Sequence, residues 1–140
     1  MPVSFTEAQA AIAAGHRKAT QLAITVTVVV VDEGGYVICA GRMDGAPSVT
    51  PQVAEAKACG AAVFHRNGEQ FQNMHRDRPG FFAAANSLVR TGLIPGLGSA
   101  LIRKDGMVVG AVGVSGGVPD QDLECAEAAV AALEGDRRSA

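Results

Sequence analysis

The stretch Ile24-Thr-Val-Thr-Val-Val-Val-Val31, followed by Asp32-Glu-Gly-Gly35 and Tyr36-Val-Ile-Cys-Ala40, decides the fold. Every side chain from 24 to 31 is β-branched, which suits a pleated surface and loses rotamers in a helix. The run is apolar without alternation over its last four residues, so both faces are covered and the strand is central. Asp32 to Gly35 is a turn and 36–40 is the return strand, so the sheet is at least partly antiparallel.

Upstream, Ser4-Phe5-Thr6-Glu7 matches a capping box that opens a helix over about 5–20, with Phe5, Ala8, Ile12 and Ala19 on one stripe. Downstream, Arg42 to Pro47 is a polar loop. Thr50 and Pro51 read as an N-cap and first turn, which predicts a helix over 51–65. Residues 66–79 are polar and aperiodic and are expected to form a long loop. A short helix is expected over 81–89. Gly92-Leu-Ile-Pro-Gly-Leu-Gly98 must turn. A second hairpin, 100–103 and 107–114, flanks Lys104-Asp105-Gly106. Ser115-Gly116-Gly117 leads to a last helix over 119–134, and 135–140 is a polar tail.

The order α-β-β-α-(α)-β-β-α predicts an α+β sandwich: a central antiparallel sheet of two hairpins flanked by helices, in a single domain over 1–140. The chain has 140 residues, 48% hydrophobic and 19% charged, enough for one core. Net charge is −2, no basic block appears, and 4% of residues are aromatic, which argues against a nucleic-acid partner. The longest strictly apolar run, Ala128 to Leu133, cannot span a bilayer. No signal-peptide pattern opens the chain, so a cytoplasmic protein without a membrane partner is expected. Cys39, Cys59 and Cys125 are odd in number and widely spaced, which suggests reduced thiols rather than a disulfide framework, and no CxxC suggests structural zinc.

Four segments carry a family resemblance: VVVVDEGGYVICAGRMDGA (28–46), VAEAKACGAAVF (53–64), KDGMVVGAVGVSGG (104–117) and PDQDLECAEAAVAAL (119–133). Together they resemble the GlcG/HbpS-like family, which includes haem-binding HbpS and the C-terminal domain of PduO-type proteins. The resemblance covers nearly the whole chain. It implies a profilin-like α/β/α fold, a small-molecule ligand, with haem or a haem-derived or iron ligand foremost, and a homo-oligomer of two to eight copies. The family's Pro-Gly-Gly-[hydrophobic]-Pro segment reads Pro95-Gly96-Leu97-Gly98-Ser99 here.

The candidate chemistry follows from residue types. Haem needs an apolar slot, an axial ligand and cations for its propionates. His16, late in the first helix, is the candidate axial ligand, against a bland reading as a helix-edge residue. His65 reads as a cation at a helix C-terminus and His75 as solvated. Arg42 can clamp a carboxylate, or pair with Asp44 to shape its own turn. Lys57, among alanines, either enters a cavity or reaches water. Gly96 and Gly98 can bring backbone close to a ligand. The Ser115-Gly116 amides can hold an anion, or only enter the helix. An alternative function is an enzyme acting on a small carboxylate or carbonyl metabolite. It would use Arg42 as clamp and Lys57 or Asp44 as acid/base, with the Ser115 amides supporting an oxyanion. All these groups are expected to converge on one hollow roofed by the glycine-rich stretch.

Overall fold

The computed structural model describes the backbone of residues 1–139 and the side chains of residues 1–134. The elements in chain order are α1 (Phe5–Gln21), β1 (Thr27–Asp32), β2 (Val37–Arg42), α2 (Thr50–Phe64), α3 (Gly68–Asp77), α4 (Pro79–Asn86), β3 (Ser99–Lys104), β4 (Met107–Ser115) and α5 (Pro119–Ser139). The sheet order is β2-β1-β4-β3 and every pairing is antiparallel. The two hairpins thus dock through β1 and β4, giving the expected α+β sandwich.

The valine run explains this order. Val28 and Val30 face α1 and α5 in one core, whereas Val29 and Val31 face α2 in another. All four are almost wholly buried, so β1 can only be an inner strand. The α2 layer lies very close to the sheet. A side chain at Gly113 of β4 would meet the backbone of Ala54 and Ala58, so only glycine admits the helix at that distance. Beyond α2, a third cluster of Phe71, Phe82, Ala85 and Leu93 packs α3 and α4 onto its outer side. There Gly60 lets Leu93 and Phe71 approach.

Both turns use the chemistry read from sequence. Asp32 Oδ1 accepts from the N–H groups of Gly34 and Tyr36. Asp105 and Gly106 have φ of 53° and 77°, the paired positive values of a type I′ hairpin.

Four expectations are corrected. The loop expected over 66–79 contains helix α3, opened by an Asn67/Gln70 capping box and anchored by Phe71. Its stripe of Phe71, Met74 and His75 has helical spacing but is set in a strongly polar segment. The short helix starts at Pro79 rather than 81 and ends at Asn86. Thr50 is not an N-cap: Val49 holds that position, and the Thr50 hydroxyl bonds Pro47 O and the buried Thr27 hydroxyl. The helix expected to end at 134 continues to Ser139, so the tail expected over 135–140 is helical backbone to 139. Ala140 lies outside the described residues.

The first helix is tied to the β3–β4 turn through Glu7. Its carboxylate accepts from Ser4 N–H at 2.9 Å and from Lys104 Nζ at 2.8 Å. Burial pushes its pKa up, but these hydrogen bonds together outweigh that and hold it below the usual glutamate value. Stability from this group is therefore present above the ordinary glutamate pKa and is lost as pH falls through the lowered one. Glu7→Gln should cost about 1 kcal/mol at neutral pH. Urea midpoints taken from neutrality to about pH 3 should fall less steeply for the variant than for the parent; parallel curves would refute this.

Candidate functional site

The loops at one end of the sheet bring several predicted residues together. Register places Arg42 opposite Thr27 and Thr27 opposite Ser115, so all three share that end. Two interstrand spacings still separate Arg42 from Ser115, about 10 Å.

Lys57 leaves α2 and passes the end of β3 to the opposite layer. Its Nζ donates to Val114 O at 2.9 Å and to Asp122 Oδ2 of α5 at 3.1 Å. Val114 N–H already bonds Gly98 O, so in an antiparallel ladder its carbonyl faces the same side, beyond where β3 begins. The ammonium fills that vacant partner position. Asp122 Oδ1 accepts from Gly117 N–H at 2.8 Å. Burial pushes the Asp122 carboxyl up, against the pull of Lys57 and of the Gly117 and Gly116 N–H groups. Both side chains of the pair are buried. Gly98, with φ of 122°, lies directly over the pair; a Cβ there would fall 2.8 Å from Lys57 Nζ.

Lys57, Gly98 and the Ser115-Gly116-Gly117 turn therefore do converge, but on the Asp122 carboxylate rather than on a hollow. Asp122 was legible only as an early acid of α5. A partner 65 residues away leaves no local signal.

Arg42 turns elsewhere. Its Nε and Nη2 both donate to Ala46 O, at 3.0 and 2.7 Å, closing the 42–46 loop. Asp44 is exposed on that loop, and no Arg42–Asp44 ion pair forms among the described residues. Arg42's Nη1 is not used in these bonds.

His16 is half-buried on α1 against β2, where Nε2 donates to Gly41 O at 2.9 Å. Its Nδ1 keeps a lone pair. Iron-bound imidazoles commonly have one ring N–H held by a carbonyl in this way, which fixes the tautomer and the ring plane. The oriented imidazole suits the ligand an iron porphyrin needs, whereas Arg42 lies on the other face of edge strand β2: Gly41, opposite Val28, backs onto His16, and Arg42, opposite Thr27, is on the α2 side. His75 packs edge-on against Phe82, and His65 is an exposed αL cap of α2. Among the described residues no group of three or more His, Cys, Asp or Glu could hold a metal ion. The buried Cys125 thiol is pushed up to about 11, by burial first and then by Asp122 and Glu124, so it is protonated at neutral pH and no nucleophile.

On the opposite edge of the sheet a groove of ≈ 280 Å³ runs between β3, α5 and the start of α3. Gly96 does not line it; its carbonyl lies against Gly68 at the start of α3, which does. Leu97, Leu101 and Leu123 line it, whereas neither Arg42, Asp44 nor Lys57 does. Among the described residues no helix is long and apolar enough to cross a membrane.

Comparison with known proteins gives a consistent result. The family described as haem degrading protein HbpS-like matches residues 3–131. Protein GlcG of Escherichia coli (strain K12) is 33% identical over 109 residues, 77% of each chain. The crystal structure of the PduOC:heme complex superposes with a TM-score of 0.84 at 27% identity, covering 94% of this chain and 95% of that one. The crystal structure of HbpS gives a TM-score of 0.85 at 25% identity, over 95% and 91% of the two chains.

Proposed function

We propose, from the premise that this chain belongs to the HbpS-like family, that it binds haem or a haem-derived ligand as a soluble, non-membrane protein. The observation that carries this reading is the superposition, over 94% of the chain, on a relative whose structure is a haem complex. The local geometry supports it: among the described residues His16 is the histidine whose ring is fixed by a backbone carbonyl, through Nε2, with Nδ1 outside that bond. Arg42 supplies a cation on the other face of the same edge strand, next in sequence to the Gly41 that holds the ring. Haem, when bound, would bring an iron centre and two carboxylates. His16 would hold the iron through Nδ1 and Arg42 would meet a propionate.

The β2 edge carries exposed apolar surface at Tyr36 and Val37, with Val49 and Val63 exposed on α2. Such surface suits burial between copies, so the reading includes a homo-oligomer in which a second copy closes the shallow β2 side. The enzyme alternative has less support, because the Lys57 ammonium it would use as acid or base is held by Asp122 and the Val114 carbonyl.

Hemin titration of the purified protein tests the reading. The parent should give a Soret shift at stoichiometric uptake, and sedimentation of the same sample should show an assembly. His16→Ala should alter the Soret position and weaken uptake at least roughly tenfold, a loss of about 1.4 kcal/mol. No uptake by the parent ends the proposal, and an unchanged His16→Ala spectrum removes His16 from it.

A further inference from the structure

The groove along β3 is a second candidate site, on the sheet edge opposite the His16–Arg42 side. It is continuous with a neighbouring hollow of ≈ 330 Å³, because Ala100 and Glu127 line both. The second hollow adds Val130, Ala131 and Glu134 of α5. The floor is thus apolar, and among the described residues the rim carries three carboxylates, Glu69, Glu127 and Glu134, and one guanidinium, Arg103, which is itself partnered. None of the three carboxylates has a hydrogen bond or ion pair among the described residues.

The backbone adds direction. Val114 N–H bonds Gly98 O, so residues 98, 100 and 102 face β4. The N–H and C=O groups of Ser99 and Leu101 then face away from β4; Ser99 is buried, and half-buried Leu101 carries the pair that opens on the groove. β3 is an edge strand whose bulge lies at its far end, between Ile102 and Arg103, which leaves the Ser99–Leu101 part regular. From Leu123 to Glu134 the α5 wall runs about 16 Å, the length of about five extended residues.

We infer that this groove takes a short extended segment of a partner protein as an added strand on β3, with lysine or arginine side chains meeting Glu69, Glu127 and Glu134. Charge selects this occupant. A second copy paired through β3 would bring two acidic rims together, and like charges held close oppose association. A haem would bring its propionates to the same carboxylates. A cationic strand satisfies both the rim and the outward backbone groups.

The test uses the full chain and three blocked seven-residue peptides: alternating lysine and valine, the same with alternate backbone nitrogens methylated, and alternating glutamate and valine. Titrations are followed by amide resonances. The lysine–valine peptide should shift Ser99 to Arg103 and α5, and its affinity should fall as salt screens the rim. Glu127→Lys and Glu69→Lys, both on exposed positions, should each weaken it by roughly tenfold or more. The methylated and glutamate peptides should not bind. Equal binding of the methylated peptide, indifference to Glu127→Lys, or shifts confined to β2 would overturn the proposal. So would self-association of the parent that Leu101→Lys abolishes, since a second copy would then hold the groove. Hemin uptake is unaffected by any of these outcomes, so this proposal and the haem reading fail separately.

Discussion

Asp122→Ala is expected to destabilise the fold by about 3–5 kcal/mol, because it leaves the Lys57 ammonium buried with no counter-charge. Lys57 is 9% exposed, and among the described residues its Nζ donates to Val114 O and Asp122 Oδ2. The substitution also removes the acceptor for Gly117 N–H. A loss of that size is a large part of the 5–15 kcal/mol that holds a typical domain. Lys57→Met with Asp122→Leu removes both charges at similar volume, and such replacements are often neutral. The double variant should therefore regain most of what Asp122→Ala loses. Denaturant unfolding of the parent, Asp122→Ala and the double variant at neutral pH gives the comparison. If Asp122→Ala falls within about 1 kcal/mol of the parent, the pair is not the brace between the α2 and α5 layers described above. The brace matters beyond stability because Gly98 rests on it. Loosening it frees the 95–98 loop, which forms one end of the β3 groove.

Gly113→Ala carries the second large effect. Its added methyl group would enter the backbone of α2 at Ala54 and Ala58, where no side chain can swing aside. Overpacking of a core costs about 1–3 kcal/mol, and a clash with helix backbone belongs at the top of that range. The expected fall in Tm is about 10 °C for a chain of this size. Gly80→Ala is the matched control. Gly80 lies in α4 with no atom within 4 Å of the added methyl, so the change should stabilise slightly, by up to about 0.5 kcal/mol. Calorimetric scans of the two variants should move in opposite directions. A Gly113→Ala protein as stable as the parent would mean that α2 can rise from the sheet at little cost.

The buried Lys57–Asp122 pair marks a limit of what near neighbours reveal. The lysine among alanines at 57 is visible as unusual, yet its partner Asp122 sits in a stretch that already explains itself as the acidic start of a helix. Arg42 and Asp44 are adjacent enough to suggest a pair, but the guanidinium finds the Ala46 carbonyl first. Helix α3 does carry a helical stripe, Phe71, Met74 and His75 at three- and four-residue spacing, but its polar composition masked it.

What the amino-acid order determined alone was everything governed by near neighbours. The valine run made an inner strand, Asp-Gly and Asp-x-Gly-Gly made hairpins, and the capping box opened α1. These are local preferences, set by rotamers and by backbone bonds a few residues apart. Only the tertiary structure decided that the hairpins join through β1 and β4, that Lys57 crosses to Asp122, and that the acid-rimmed groove and the His16 side lie on opposite sheet edges. Those outcomes depend on which distant surfaces are buried together, a free-energy balance over the whole chain that no short window of sequence contains.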